Sequence, residues 1–141
     1  MFRSGRSDHG GRPDRELGLA VLRRDGESVA PGEAVLRLDG PARAVLTAER
    51  TALNLMSRLS GIATATARLV AAARPHKARI TCTRKTTPGL RALEKYAVRC
   101  GGGHNHRNDL GAGVLIKENN VRAAGGISEA VLRARRHAPH T

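Results

Sequence analysis

The stretch CTRKTTPGLRALEKYAVRCGGGHNHR, residues 82–107, carries the signals from which the fold of this chain is predicted. It starts within residues 78–83 (ARITCT), which are predicted to form a β-strand. Residues 86–89 (TTPG) indicate a turn, and a helix is predicted from Leu90. The triple glycine, residues 101–103, ends that helix. The predicted order is therefore strand, turn, helix and loop.

A second strand and helix are predicted after this unit. Residues 113–117 (GVLIK) form a short apolar run, and Ser128 is expected to cap a last helix with Ala130, Val131 and Ala134 on one side. Strands that alternate with helices are typical of a parallel sheet, in which functional residues follow the carboxyl ends of the strands. The predicted fold class is therefore α/β.

The preceding residues predict a hairpin and a long helical region. Residues 17–38 alternate apolar and polar side chains around two turn dipeptides, which favours short antiparallel strands. Residues 44–74 have apolar side chains close to helical spacing, with a break or kink predicted at Ser60 and Gly61 before a second helix that stops at Pro75. Residues 1–16 have little to bury, so they are expected to be flexible.

The composition indicates a small basic domain with an anionic partner. The chain has 141 residues, 40% of them hydrophobic, and its 25 Lys and Arg against 12 Asp and Glu give a formal charge of +13. Such an excess is typical of proteins that bind phosphates, nucleic acid or other anions. Phe2 and Tyr96 are the only aromatic residues, so a module that stacks on nucleic-acid bases is not expected.

The cysteine and histidine spacings do not indicate a metal site. Cys82 and Cys100 are far apart and are expected to be reduced, and His104 and His106 lie on a loop without further ligands nearby. No run reaches the roughly 20 apolar residues of a membrane span, and no secretory signal is recognisable. A cytoplasmic location is therefore expected.

Cations gather next to the predicted strand ends. Arg84 and Lys85 follow the first strand, Lys117 ends the second, and His106 and Arg107 precede the second. A guanidinium binds a carboxylate or phosphate with two parallel hydrogen bonds, and a lysine adds a compact charge. One cation pair alone could be a solvated strand end, but the whole set favours a pocket for a small di-acid or a phosphorylated ligand.

Three stretches resemble the quinolinate phosphoribosyltransferase family, also called nicotinate-nucleotide pyrophosphorylase (carboxylating). They are residues 49–67 (ERTALNLMSRLSGIATATA), residues 83–107 (TRKTTPGLRALEKYAVRCGGGHNHR) and residues 115–120 (LIKENN). The resemblance extends over about residues 25–136. It implies an N-terminal α/β sandwich followed by an incomplete α/β (TIM-like) barrel.

The resemblance also implies the domain organisation and the reaction. Residues 17–48 would be part of the sandwich domain and residues 49–141 part of the barrel, so the chain looks like a truncated member. The family transfers phosphoribose from phosphoribosyl pyrophosphate to quinolinate with decarboxylation, in NAD biosynthesis. Mg²⁺ would accompany the phosphoribosyl pyrophosphate, with its protein ligands expected beyond this chain, and we expect the truncation to impair activity.

The site residues are implied by matching the family motifs position by position. Lys85 and Lys117 match catalytic positions, and Arg50 matches an arginine that reaches the neighbouring subunit's site in a homodimer. The substrate-binding positions are Arg50, Thr83, Arg84, Lys85, His106, Arg107 and Lys117.

Three residues depart from the family pattern. Cys82 stands where Asp is usual, Ala112 where Asp commonly precedes the strand, and Asn120 where His ends the motif. Two alternatives stay open. One is a related pyrophosphorylase-like protein of molybdate loci, and the other is a non-catalytic basic module that binds anions or nucleic acid by charge.

Overall fold

The computed structural model describes residues 17–139, so the predicted flexible segment, residues 1–16, lies outside the described residues. The chain divides into two compact units, one ending at Arg58 and the other beginning at Leu59. In the described part of the chain, no helix is both long and apolar enough to cross a membrane.

The first unit contains an antiparallel pair, β1 (Gly18–Val21) and β2 (Leu36–Asp39), with Gly18 opposite Asp39 and Val21 opposite Leu36. The pairing extends into the connection, where Leu22 N donates to Val35 O at 2.9 Å. Gly26, at a φ of 89°, provides a turn conformation that side chains disfavour. The prediction of short antiparallel strands is confirmed.

Helix α1 (Ala42–Ala73) is continuous over 32 residues. The predicted break at Ser60 and Gly61 is wrong. A glycine inside a helix weakens it by only about 1 kcal/mol, so it does not by itself interrupt the hydrogen-bond ladder. The predicted end before Pro75 is confirmed, since α1 stops two residues earlier.

Helix α2 (Arg91–Cys100) follows the turn and ends at the triple glycine, as predicted. The glycines do more than end a helix. A Cβ on Gly101 would lie 2.7 Å from Thr66 Cβ, and a Cβ on Gly103 would lie 2.9 Å from Thr66 Cγ2. These glycines therefore permit close approach of their main chain to α1.

Within residues 17–139, the predicted parallel sheet is present only as a single bridge between Thr81 and His104. His104 N donates to Ile80 O and Cys82 N donates to His104 O, both at 2.9 Å. Residues 113–117 form no strand in the structure, so the prediction of a second strand there is wrong. An apolar run such as residues 113–117 does not specify which segment it pairs with. Residues 78–83 pair instead, at Thr81, with the polar segment that follows the triple glycine.

The chain ends in two helices, α3 (Glu118–Ala124) and α4 (Ile127–His137), joined by Gly125 and Gly126, which both have positive φ. The prediction that Ser128 caps this helix is wrong, because α4 starts at Ile127 and its N-cap is Gly126. Glycine is itself an acceptable N-cap residue. Ala130, predicted for the inner side of this helix, is buried.

Candidate anion-binding site

The first part of the candidate site is the end of the 78–83 segment. Arg84 is half-buried, and its Nε is a buried nitrogen with no hydrogen-bond partner among residues 17–139. Thr83 and Lys85 are exposed, and Thr83 Oγ1 accepts from Lys85 N at 3.0 Å. The hydroxyl thus orders the main chain from which the cations extend.

The second part is the segment after the glycines. Because Thr81 and His104 pair in parallel, Arg84 and Arg107 both lie three residues beyond the bridge, at the same end of it. Arg107 is half-buried and its Nη1 donates to Gly113 O at 2.7 Å, whereas His106 is exposed. The structure therefore brings the predicted residues of the two segments to one edge.

Buried Glu94 anchors the turn that follows Arg84 and Lys85. Its two carboxylate oxygens accept from Thr87 N at 3.1 Å and from Thr87 Oγ1 at 2.7 Å. Arg91 Nε donates to Thr86 Oγ1 at 3.1 Å. Helix α2 therefore fixes the direction in which the chain leaves the cation pair.

Lys95 is a residue of the site that sequence reasoning missed. Its side chain is buried, and its Nζ donates to Cys82 Sγ at 3.0 Å, His106 O at 2.7 Å and Arg107 O at 2.9 Å. The sequence signal is weak, because Arg91, Lys95 and Arg99 recur every four residues like cations on a solvated helix face. Only the fold shows that the middle one points inward.

The other two predicted site residues, Lys117 and Arg50, take no part in the hydrogen bonds given above. Lys117 is exposed and precedes α3, where its N–H donates to Asn120 Oδ1 at 3.0 Å. Arg107 reaches Gly113, four residues before Lys117, which ties that segment to the site. Arg50 is exposed on α1 in the first unit.

The described residues contain no ready-made cluster of metal-ligating side chains. Within residues 17–139, no group of three or more His, Cys, Asp or Glu side chains could hold a metal ion. Asp109 Oδ1 instead accepts from Gly111 N and Ala112 N, both at 2.8 Å, so this carboxylate stabilises its own loop. We therefore assign no metal ligand in this chain.

Comparison with known proteins identifies the family. The N-terminal domain of quinolinate phosphoribosyl transferase matches residues 15–60, and the C-terminal domain of the same family matches residues 62–141. Both matches are to domains of the same family. The chain belongs to the quinolinate phosphoribosyl transferase family, as the sequence motifs predicted.

Individual relatives agree with this. The nicotinate-nucleotide pyrophosphorylase (carboxylating) of Mycobacterium leprae is 52% identical over 124 residues, which are 86% of this chain and 44% of the relative. The structure of the nicotinate-nucleotide pyrophosphorylase from Francisella tularensis matches with a TM-score of 0.85 at 45% identity. The match covers 89% of this chain and 45% of the Francisella chain. NadC from Streptococcus pyogenes matches with a TM-score of 0.84 at 42% identity, over 89% of this chain and 45% of the NadC chain.

These similarities confirm the predicted fold class, a partial α/β fold. The chain spans about 44% of the length of the curated relatives that it matches. The roles of the individual site residues stay predictions.

Proposed function

We propose that this chain provides the carboxylate-binding part of a site for phosphoribosyl transfer to quinolinate, in NAD biosynthesis. The observation that carries the proposal is Arg84 Nε, which is buried and lacks a partner among the described residues. A buried donor without an acceptor is unfavourable by about 1–3 kcal/mol, so a carboxylate oxygen there would be stabilising. Family membership and the names of the relatives support quinolinate as the source of that carboxylate.

The proposed chemistry assigns charge stabilisation, not covalent catalysis, to these residues. Arg84, Arg107 and His106 hold the two carboxylates of quinolinate, with Thr83 beside them. The ring nitrogen uses its lone pair to bond the anomeric carbon, while pyrophosphate leaves with the electron pair of the broken C–O bond. Lys85 and Lys117 would stabilise the anionic groups during this step. Loss of the 2-carboxyl group as CO₂ leaves an electron pair on the ring carbon, which takes up a proton.

Mg²⁺ is proposed only as a companion of phosphoribosyl pyrophosphate, bound through phosphate oxygens. No residue of this chain is assigned to it, because the carboxylates near the site do not form a ligand cluster within residues 17–139.

The same proposal includes a cytoplasmic homodimer in which Arg50 serves the site of the neighbouring subunit. Arg50 is exposed on α1, which is compatible with such a role. In the same proposal, residues 17–48 are part of a sandwich domain and residues 49–141 are part of a partial barrel. Sedimentation of wild type and Arg50→Ala at high concentration tests the assembly.

Titration calorimetry of the full chain with quinolinate tests the binding site. We expect Arg84→Ala to weaken binding by at least about tenfold, because hydrogen bonds to charged groups contribute about 1.5–3 kcal/mol. The matched control is Arg79→Ala, which removes the same charge from an exposed position in the same segment and should leave the affinity unchanged. Equal affinities of wild type and Arg84→Ala would contradict the proposal.

Two further ligands separate the alternatives. Nicotinate has one carboxylate, so it should bind more weakly than quinolinate if both acid groups are held. Equal binding of the two would favour a pyrophosphorylase-like relative with a different substrate. A nucleic-acid module would instead bind DNA with an affinity that falls steeply with salt.

A further inference from the structure

The side chain of Lys95 is buried beside the candidate site. The residue is only 3% exposed, and it lies on α2 beside Glu94 and Ala97, which are also buried. An ammonium group loses much of its hydration when buried, so it is stable only where its donors find acceptors. Lysine has three such donors. Nζ has three acceptors within hydrogen-bond distance: Cys82 Sγ, His106 O and Arg107 O.

Two of these acceptors are consecutive carbonyls, and this is the unusual feature. The carbonyl of His106 belongs to the peptide group before the Cα of Arg107, and the carbonyl of Arg107 belongs to the peptide group after it. Nζ lies 2.7 Å from the first oxygen and 2.9 Å from the second. Because the planes of both peptide groups are held, the backbone dihedral angles of Arg107 are held as well.

The third acceptor links this loop to the neighbouring segment. Cys82 Sγ accepts from Lys95 Nζ at 3.0 Å and also from His106 N at 3.2 Å. Cys82 precedes Arg84 by two residues, so one ammonium and one sulfur connect the main chains from which both arginines extend. Neither Lys95 nor Cys82 needs to touch a ligand for this effect.

We infer that Lys95 is a positioning residue: it fixes the peptide groups on both sides of Arg107 and thereby sets how Arg107 is presented beside Arg84. The inference deepens the proposed function and rests on it, since it assigns Lys95 an effect on the affinity for the same dicarboxylate. A lysine that merely supported the fold would affect stability and leave the affinity of folded protein unchanged.

The test compares Lys95→Met, which keeps the length of the side chain and removes its donors, with Lys95→Arg, which keeps a charged donor. The matched control is Lys77→Met, at an exposed position of the same unit. Circular dichroism first establishes a temperature at which each variant is folded. Amide hydrogen exchange of His106 and Arg107, followed by NMR, then reports the loop, and calorimetry with quinolinate reports the affinity.

We expect exchange at His106 and Arg107 to become at least about tenfold faster in Lys95→Met, with a quinolinate affinity about tenfold weaker, because a network of charged hydrogen bonds is lost. Lys95→Arg should restore part of both quantities together, and Lys77→Met should change neither. If Lys95→Met does not fold, Lys95→Arg still decides, because its exchange rates and affinity must change in parallel.

Three results would overturn the inference or what it rests on. Unchanged exchange in a folded Lys95→Met protein means that Lys95 does not hold the loop. Faster exchange with unchanged affinity means that the loop does not control binding. Wild-type protein that binds no quinolinate overturns the proposed function, and the exchange measurement still shows separately whether Lys95 holds the loop.

Discussion

Helix α1 and the region from Glu94 to Gly103 differ in what they bury. On α1, Leu46 is 67% exposed and Leu69 is 56% exposed, although both are large apolar side chains. The shorter region instead buries Glu94, Lys95, Ala97, Gly101 and Gly103. Close packing in the described chain is therefore concentrated where polar groups and main chain meet. Hydrogen bonds and steric contacts with glycine, more than large apolar side chains, determine the geometry next to the candidate site.

The largest effect should come from filling the space at Gly101. In Gly101→Ala, the new Cβ would meet the carbonyl oxygen of Ala63 and lie 2.7 Å from Thr66 Cβ. Main-chain atoms cannot move away as a flexible side chain can, so we expect a loss of about 2–3 kcal/mol in the free energy of unfolding. Urea denaturation followed by circular dichroism measures it.

Gly61→Ala is the matched control for that substitution. The added Cβ has nothing within 4 Å, and Gly61 lies inside α1. Alanine is the better helix former by about 0.5–1 kcal/mol, so this variant should be slightly more stable than wild type. If both alanine variants had the same stability, close approach of the glycine segment to α1 would be disproved.

The next effect concerns the polar part of the same region. Glu94→Ala removes the acceptors of Thr87 N and Thr87 Oγ1, and we expect it to reduce the free energy of unfolding by about 2 kcal/mol. The control is Glu129→Ala, which removes an exposed pair with Arg133 and should reduce it by about 0.5 kcal/mol or less. A smaller loss in Glu94→Ala than in the control would contradict an anchoring role for Glu94.

The sequence predicted which segments form helices and strands better than it predicted which segments pair with each other. The hairpin, α2 and the end of α1 follow from local signals, namely turn dipeptides, helical spacing and a proline. The pairing of Thr81 with His104 joins residues that are far apart in the chain, and no local pattern specifies it. The break predicted at Gly61 was wrong because an exposed glycine leaves the helical hydrogen bonds intact.

The candidate site shows the same division between local and non-local information. Arg84 and Arg107 are predicted as site residues from the sequence because cations near predicted strands and the family motifs around them are recognisable. Lys95 could not be predicted, because two of its acceptors are backbone carbonyls, which every residue has, and they lie 11 and 12 residues away. Which carbonyls reach a buried ammonium is decided only when the chain is folded.

The smallest effect tests the exposed side of the comparison. Leu46→Ala removes a side chain that is 67% exposed, and a surface substitution usually changes the free energy of unfolding by no more than about 0.5 kcal/mol. A loss of more than about 2 kcal/mol would be typical of a buried leucine, so it would show that this part of α1 is covered in solution.

Urea denaturation at two protein concentrations distinguishes the possible causes. If a second copy covers Leu46, as the proposed homodimer allows, the stability of wild type should rise with concentration and that of Leu46→Ala should rise less. If neither stability changes with concentration, Leu46 is solvent-exposed as the structure places it. The contrast between α1 and the region from Glu94 to Gly103 then holds for the chain in solution.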